Sequence, residues 1–143
     1  MIGMEEERRM SFFEGQEQRA FFKEKRNEKQ AQFRLSYEAG VKACREVFID
    51  VERRAMVLYA SGVAKRLECF VKVNPVTRNY LNVVFYAKAQ GYGPYRTVYR
   101  LGSVFVERDQ LLDFNSFLHG FNNSMRKRNG LCFGASERRP CIV

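Results

Sequence analysis

The chain has no tryptophan, a single histidine and only three prolines. No apolar run approaches the ~20 residues that a membrane-crossing helix needs. Its four cysteines, Cys44, Cys69, Cys132 and Cys141, are scattered without a CxxC pair. With His119 as the only histidine, they offer no zinc ligand set. The first ten residues are charged where a secretory signal would be apolar. These absences predict a reduced thiol set and an intracellular, non-membrane protein. The final Cys-Ile-Val places cysteine third from the end, which is not a prenylation signal. Glycine-rich phosphate loops, a nucleophile elbow and clustered metal ligands are also missing. The expectation is a non-enzymatic protein without a cofactor or bound metal, and His119 reads as a partly buried structural residue.

Acidic residues are scarce in one region. Residues 53–100 contain Glu68 alone against nine basic residues: Arg53, Arg54, Lys65, Arg66, Lys72, Arg78, Lys88, Arg96 and Arg100. Residues 1–30 are balanced at seven of each sign, so the formal charge of +9 lies entirely beyond them. A basic excess on a predicted folded region, rather than on a tail, points to a polyanion-binding surface.

The 143 residues suit one domain with an extension, and an apolar content of 45% supports a core. Residues 1–44 read as a charged, mostly helical N-terminal extension. Glu, Gln, Lys and Arg dominate it, and Phe12, Phe13, Phe21, Phe22 and Phe33 are too sparse for a heptad seam. Leu35, Ala39 and Ala43 share a helical face, and the helix is expected to end near Cys44. Residues 47–60 read as a hairpin turning at Glu52–Arg54, or as one long bulged strand, because Val47-Phe48-Ile49 favours extended chain.

Residues 45–128 read as a sheet-plus-helix domain. In 66–74, Leu67, Cys69, Val71 and Val73 alternate with Glu68, Phe70, Lys72 and Asn74. In 79–88, Leu81, Val83, Phe85 and Ala87 alternate with Tyr80, Asn82, Val84, Tyr86 and Lys88. Gln90-Gly91-Tyr92-Gly93-Pro94 is a hairpin tip. In 95–101, Arg96, Val98 and Arg100 share one face. Gly102 marks a bulge or turn, and 104–106 is a further short strand or the end of the same one. Asp109 is the expected N-cap of a helix through Lys127, with Leu111, Phe114, Leu118, Phe121 and Met125 as its apolar stripe. Asn129-Gly130 stops it. Residues 129–143 read as an extended tail pinned by Leu131 and Phe133. The fold class is therefore α+β: an antiparallel sheet of four to five strands, then one amphipathic helix, after a helical extension.

One face of each strand is apolar and the other mixes aromatics with cations. That second face suits single-stranded DNA or RNA. Phe70, Tyr80, Tyr86 and Tyr92 are candidates for base stacking, and Lys72, Arg78, Lys88, Arg96 and Arg100 for phosphate contacts. The competing reading is a subunit of a ribonucleoprotein or viral assembly. Its protein partner would dock through residues 4–33 and their phenylalanine pairs.

Three stretches carry a family likeness: Phe70-Val71-Lys72-Val73, Thr77-Arg78-Asn79-Tyr80-Leu81-Asn82-Val83 and Val104-Phe105-Val106-Glu107-Arg108-Asp109-Gln110-Leu111-Leu112-Asp113-Phe114. Residues 60–128 resemble the Pur family of nucleic-acid-binding repeats, and share a strand-helix plan with the transcriptional positive cofactor and Whirly families. The resemblance implies a curved antiparallel sheet backed by a helix, single-stranded nucleic acid on its open face, and a homodimer. The acid-rich segment before residue 34 and the short tail after 128 depart from the family pattern.

Overall fold

The computed structural model of the chain describes residues 2–91 and 96–143, with side chains from residue 18 onward. It divides into two units, Met1–Gln32 and Phe33–Val143. The expected boundary at residue 44 falls within a helix instead. That helix, α1, spans Ile2–Ala60. In the first unit, side chains 18–32 are all exposed. Phe21 and Phe22 meet edge to face at 5.9 Å, and Lys25 Nζ lies 4.6 Å from the Phe21 ring centroid.

In the second unit, α1 is a core helix. Ser36, Ala39, Gly40, Ala43, Cys44, Val47, Val51, Ala55 and Leu58 are buried along one stripe at helical spacing. The strand or hairpin expected over 47–60 is therefore not formed. Val47 is buried while Ile49 is 54% exposed, which is helical order and not strand alternation across that triplet. Packing outweighs the β-branched preference here. Leu35, expected on the inner face, is exposed, and Ser36 takes the inner position.

The sheet is antiparallel in the order β3-β2-β1-β4. β1 is Arg66–Pro75, β2 Tyr80–Gln90, β3 Thr97–Glu107 and β4 Cys141–Ile142. β3 is one strand, not two pieces. Its register against β2 shifts between Phe85 and Tyr86, so Leu101 is an extra residue between the pairs Phe85–Gly102 and Tyr86–Arg100. A Cβ on Gly102 would lie 3.2 Å from Val51 Cγ2. The bare backbone there lets α1 settle against the sheet.

A 3₁₀ turn at Arg108–Gln110 precedes α2, Phe114–Asn129. The N-cap is Asp113, not Asp109: Asp113 Oδ2 accepts from Ser116 N at 2.9 Å. Gly130 ends α2 at φ 75°, the left-handed position that glycine adopts most readily. Phe121 stacks on Phe85 of β2 at 4.3 Å, and Phe133 meets both rings edge-on at 5.3 and 5.6 Å. Truncating Phe121 to alanine would cost about 3–5 kcal/mol at a site of this kind. Phe117, outside the expected stripe, is fully buried. His119 is exposed rather than partly buried. Its ring sits 5.7 Å from that of Tyr37.

The tail is ordered. Leu131, Cys132 and Phe133 are buried, and Asn122 holds Phe133 at both backbone atoms, donating to its O at 2.9 Å and accepting from its N at 2.8 Å. Cys132 and Cys141 form a disulfide, with Cα atoms 5.9 Å apart. This corrects the expectation of four reduced thiols; Cys44 and Cys69 are free and buried. Among the described residues, no helix is long and apolar enough to cross a membrane.

Candidate nucleic-acid interface

The two helices cover one face of the sheet, and the register fixes what the other face carries. Tyr86 of β2 pairs with Phe70 of β1 on one side and Arg100 of β3 on the other, so these three form a row across the sheet. The next rows are Lys72, Val84 and Ser103, then Asn74, Asn82 and Phe105. On the opposite side of the Tyr86 row lie Glu68, Lys88 and Val98. Alternation along each strand sends all of them outward, while Leu67, Cys69, Val71, Val83, Phe85 and Ala87 point into the core.

The cations on this face are not equally available. Lys72 is exposed, with Nζ 5.6 Å from the Tyr86 ring centroid and 6.0 Å from that of Phe70. These distances suit a cation over aromatic faces. Arg100 is exposed, and its guanidinium donates to Ser103 Oγ. Arg96 lies 3.4 Å from Glu68, which also accepts from Gln90. Lys88 is paired with Glu137 of the tail at 3.0 Å. Arg78 is exposed at the β1–β2 turn, off the face itself, in a depression with Asn79, Tyr80, Glu107, Arg108 and Asp109.

The aromatics divide in the same way. Tyr80 is 44% exposed at the sheet's end. Tyr86 is half-buried and stacks on Phe70 at 5.5 Å and 19°. Phe70 itself is 1% exposed, across the strand from Tyr86 and beside the tail at Gly134, so it supports the Tyr86 ring and has no free face of its own. Tyr92 lies outside the described residues. Phe105 escaped the sequence reading. It is 62% exposed on the outer face between buried Val104 and Val106, and alternation across Val-Phe-Val was the signal that could have found it.

Deeper groups are chemically quiet. Burial pushes the Cys69 thiol up to about 12. It also raises Cys44, against the opposing charge and hydrogen bond of Arg128. Neither is poised as a nucleophile, since the reactive form is the thiolate. No group of three or more potential metal ligands occurs among the described residues. Compared with known proteins, the chain matches no family model, no curated protein and no solved structure.

Proposed function

We propose that the protein binds single-stranded nucleic acid on the outer face of its sheet. The observation that carries this reading is the adjacency of Lys72, Tyr86 and Arg100 on β1, β2 and β3, with Tyr80 and Phe105 exposed on the same face. Aromatic side chains offer unpaired bases a stacking surface at about 1–3 kcal/mol per base, with little sequence preference. Lysine and arginine between them meet phosphates and release counterions, which makes affinity fall with salt. The strand-helix order is also the basis of the resemblance to Pur, Whirly and positive-cofactor proteins, from which the homodimer is proposed.

Labelled single- and double-stranded DNA and RNA, titrated by fluorescence anisotropy at two salt concentrations, test the reading. Preference for single strands, weakened by salt and by Lys72→Ala/Arg100→Ala, is expected. No binding to any strand at low salt would sink it.

A second reading is favoured by Phe21 and Phe22, which are 52% and 59% exposed on the first unit's helix. Exposed phenylalanines in tandem suit a protein partner docking along residues 4–33 in a larger assembly. Loss of a co-purifying assembly in Phe21→Asp/Phe22→Asp, with strand binding intact, is the expected mark of this role.

A further inference from the structure

The last ten residues form a strap along the edge of β1. At its near end Gly134 donates to Cys69 O at 2.9 Å and accepts from Val71 N at 3.1 Å. At its far end Val143 exchanges both backbone hydrogen bonds with Leu67, at 3.0 and 3.4 Å, and its carbonyl accepts from Tyr59 OH at 3.2 Å. Between them a turn, closed by Arg139 N to Ser136 O at 3.1 Å, carries Glu137 to Lys88. The hydrogen bond and charge of Lys88 hold the Glu137 carboxyl below its ordinary range, and Lys72 adds to this.

We propose that residues 134–143 are an autoinhibitory gate on the nucleic-acid face, with Glu137 occupying the place of a phosphate at Lys88 and the Cys132–Cys141 disulfide holding the strap closed. This inference rests on the nucleic-acid reading above. A carboxylate and a phosphodiester seek the same ammonium donor, so a strand must displace Glu137 to use Lys88. The strap's two ends are held unequally. Its near end follows Leu131 and Phe133, which are sunk in the core and fixed by Asn122. Its far end has only the two-residue β4, the Val143 contacts and the disulfide nine positions back.

A dithiol reductant opens the gate in a balanced step. Two electrons pass to the Cys132–Cys141 bond, each sulfur takes one proton, and the reductant closes to its own disulfide. Cys44 and Cys69 are already free, so the reductant changes this pair alone. Without the covalent tie, the short β4 pairing is the kind of element that opens locally. Opening frees Lys88, one row along the sheet from Tyr86.

The full chain, oxidised and dithiol-reduced, is compared with Glu137→Gln and with Cys132→Ser/Cys141→Ser. Two readouts are taken: anisotropy with a labelled single strand across a salt series, and hydrogen exchange of the Leu67 and Val71 amides, which report the strap without any ligand. Reduction and the double serine variant are expected to speed exchange at the Leu67 amide, on the loosely held end, while the Val71 amide, bonded to the anchored Gly134, stays protected. They should also steepen the log K against log salt slope by about 0.7 for each lysine gained. Glu137→Gln should tighten binding up to about fivefold, the range of one exposed ion pair, without changing exchange. Binding that is indifferent to reduction and to Glu137→Gln overturns the gate and leaves the nucleic-acid reading standing. Faster exchange on reduction, with no strand bound in either state, overturns the nucleic-acid reading and leaves a strap that guards some other use of this edge.

Discussion

Gly40 of α1 and Gly120 of α2 mark the crossing of the two helices, and each is closed off by the other helix's backbone. A Cβ on Gly40 would land on the Phe117 carbonyl oxygen and within 2.9 Å of the Phe121 nitrogen, and one on Gly120 would land on the Tyr37 carbonyl oxygen. Helix propensity alone would make either glycine-to-alanine change stabilising by about 1 kcal/mol. The crossing reverses the sign. Gly40→Ala and Gly120→Ala are each expected to destabilise by about 1–3 kcal/mol through overpacking, read from urea unfolding midpoints.

Phe105 separates stability from binding. At 62% exposure it packs little, so Phe105→Ala should leave stability within about 0.5 kcal/mol. If bases stack on it, single-strand affinity falls by about 1–3 kcal/mol, measured by anisotropy against the same change at Tyr80. Unchanged affinity in both variants would remove this end of the sheet from the interface.

The buried Cys69 thiol gives stability an alkaline limit. Its ordinary value of 9.0 is pushed up to about 12 by burial, so the unfolded chain loses this proton first. Stability from this group is complete below pH 9 and is lost as pH rises from there towards 12. The slope for one group is at most about 1.4 kcal/mol per pH unit. Denaturant melts between pH 8 and 10.5 should fall more steeply for the wild type than for Cys69→Ala. Thiol alkylation at pH 8 should label Cys69 only after unfolding.

Asn122 holds the tail to α2 through both backbone atoms of Phe133. Asn122→Ala leaves a buried N–H and C=O without their partner. It should destabilise by about 1–3 kcal/mol in urea melts. Asn122→Asp keeps the acceptor for Phe133 N but sets a carboxylate oxygen against the Phe133 carbonyl, so it too should destabilise relative to the wild type.

Much of the sheet was legible because strand alternation is a local signal. The faces read for 66–74 and 79–88 are the faces observed, and Gly102 does mark a bulge. α1 was legible as helix up to Cys44, with Ala39 and Ala43 on its buried face, but its continuation to Ala60 was not. There Val47, Val51, Ala55 and Leu58 are buried at helical spacing, but Val47-Phe48-Ile49 gives the opposite local signal. The candidate site was half legible. Alternation put Phe70, Lys72, Tyr86, Lys88 and Arg100 on one side, but a distant tail decides which are open. Phe70 next to Gly134, and Lys88 under Glu137, are contacts across more than forty residues of sequence that no local pattern encodes.

The extra residue at Leu101 works as a phase changer in β3. On its C-terminal side the odd-numbered residues Ser103, Phe105 and Glu107 face outward. On its N-terminal side the even-numbered Val98 and Arg100 do. Keeping every residue but ironing out the bulge would slip the strand's first half by one and turn it over. Arg100 would then aim at α1 and the core, while Tyr99 faced water. The bulge itself therefore decides whether this strand carries its cations on the outer surface or buries them.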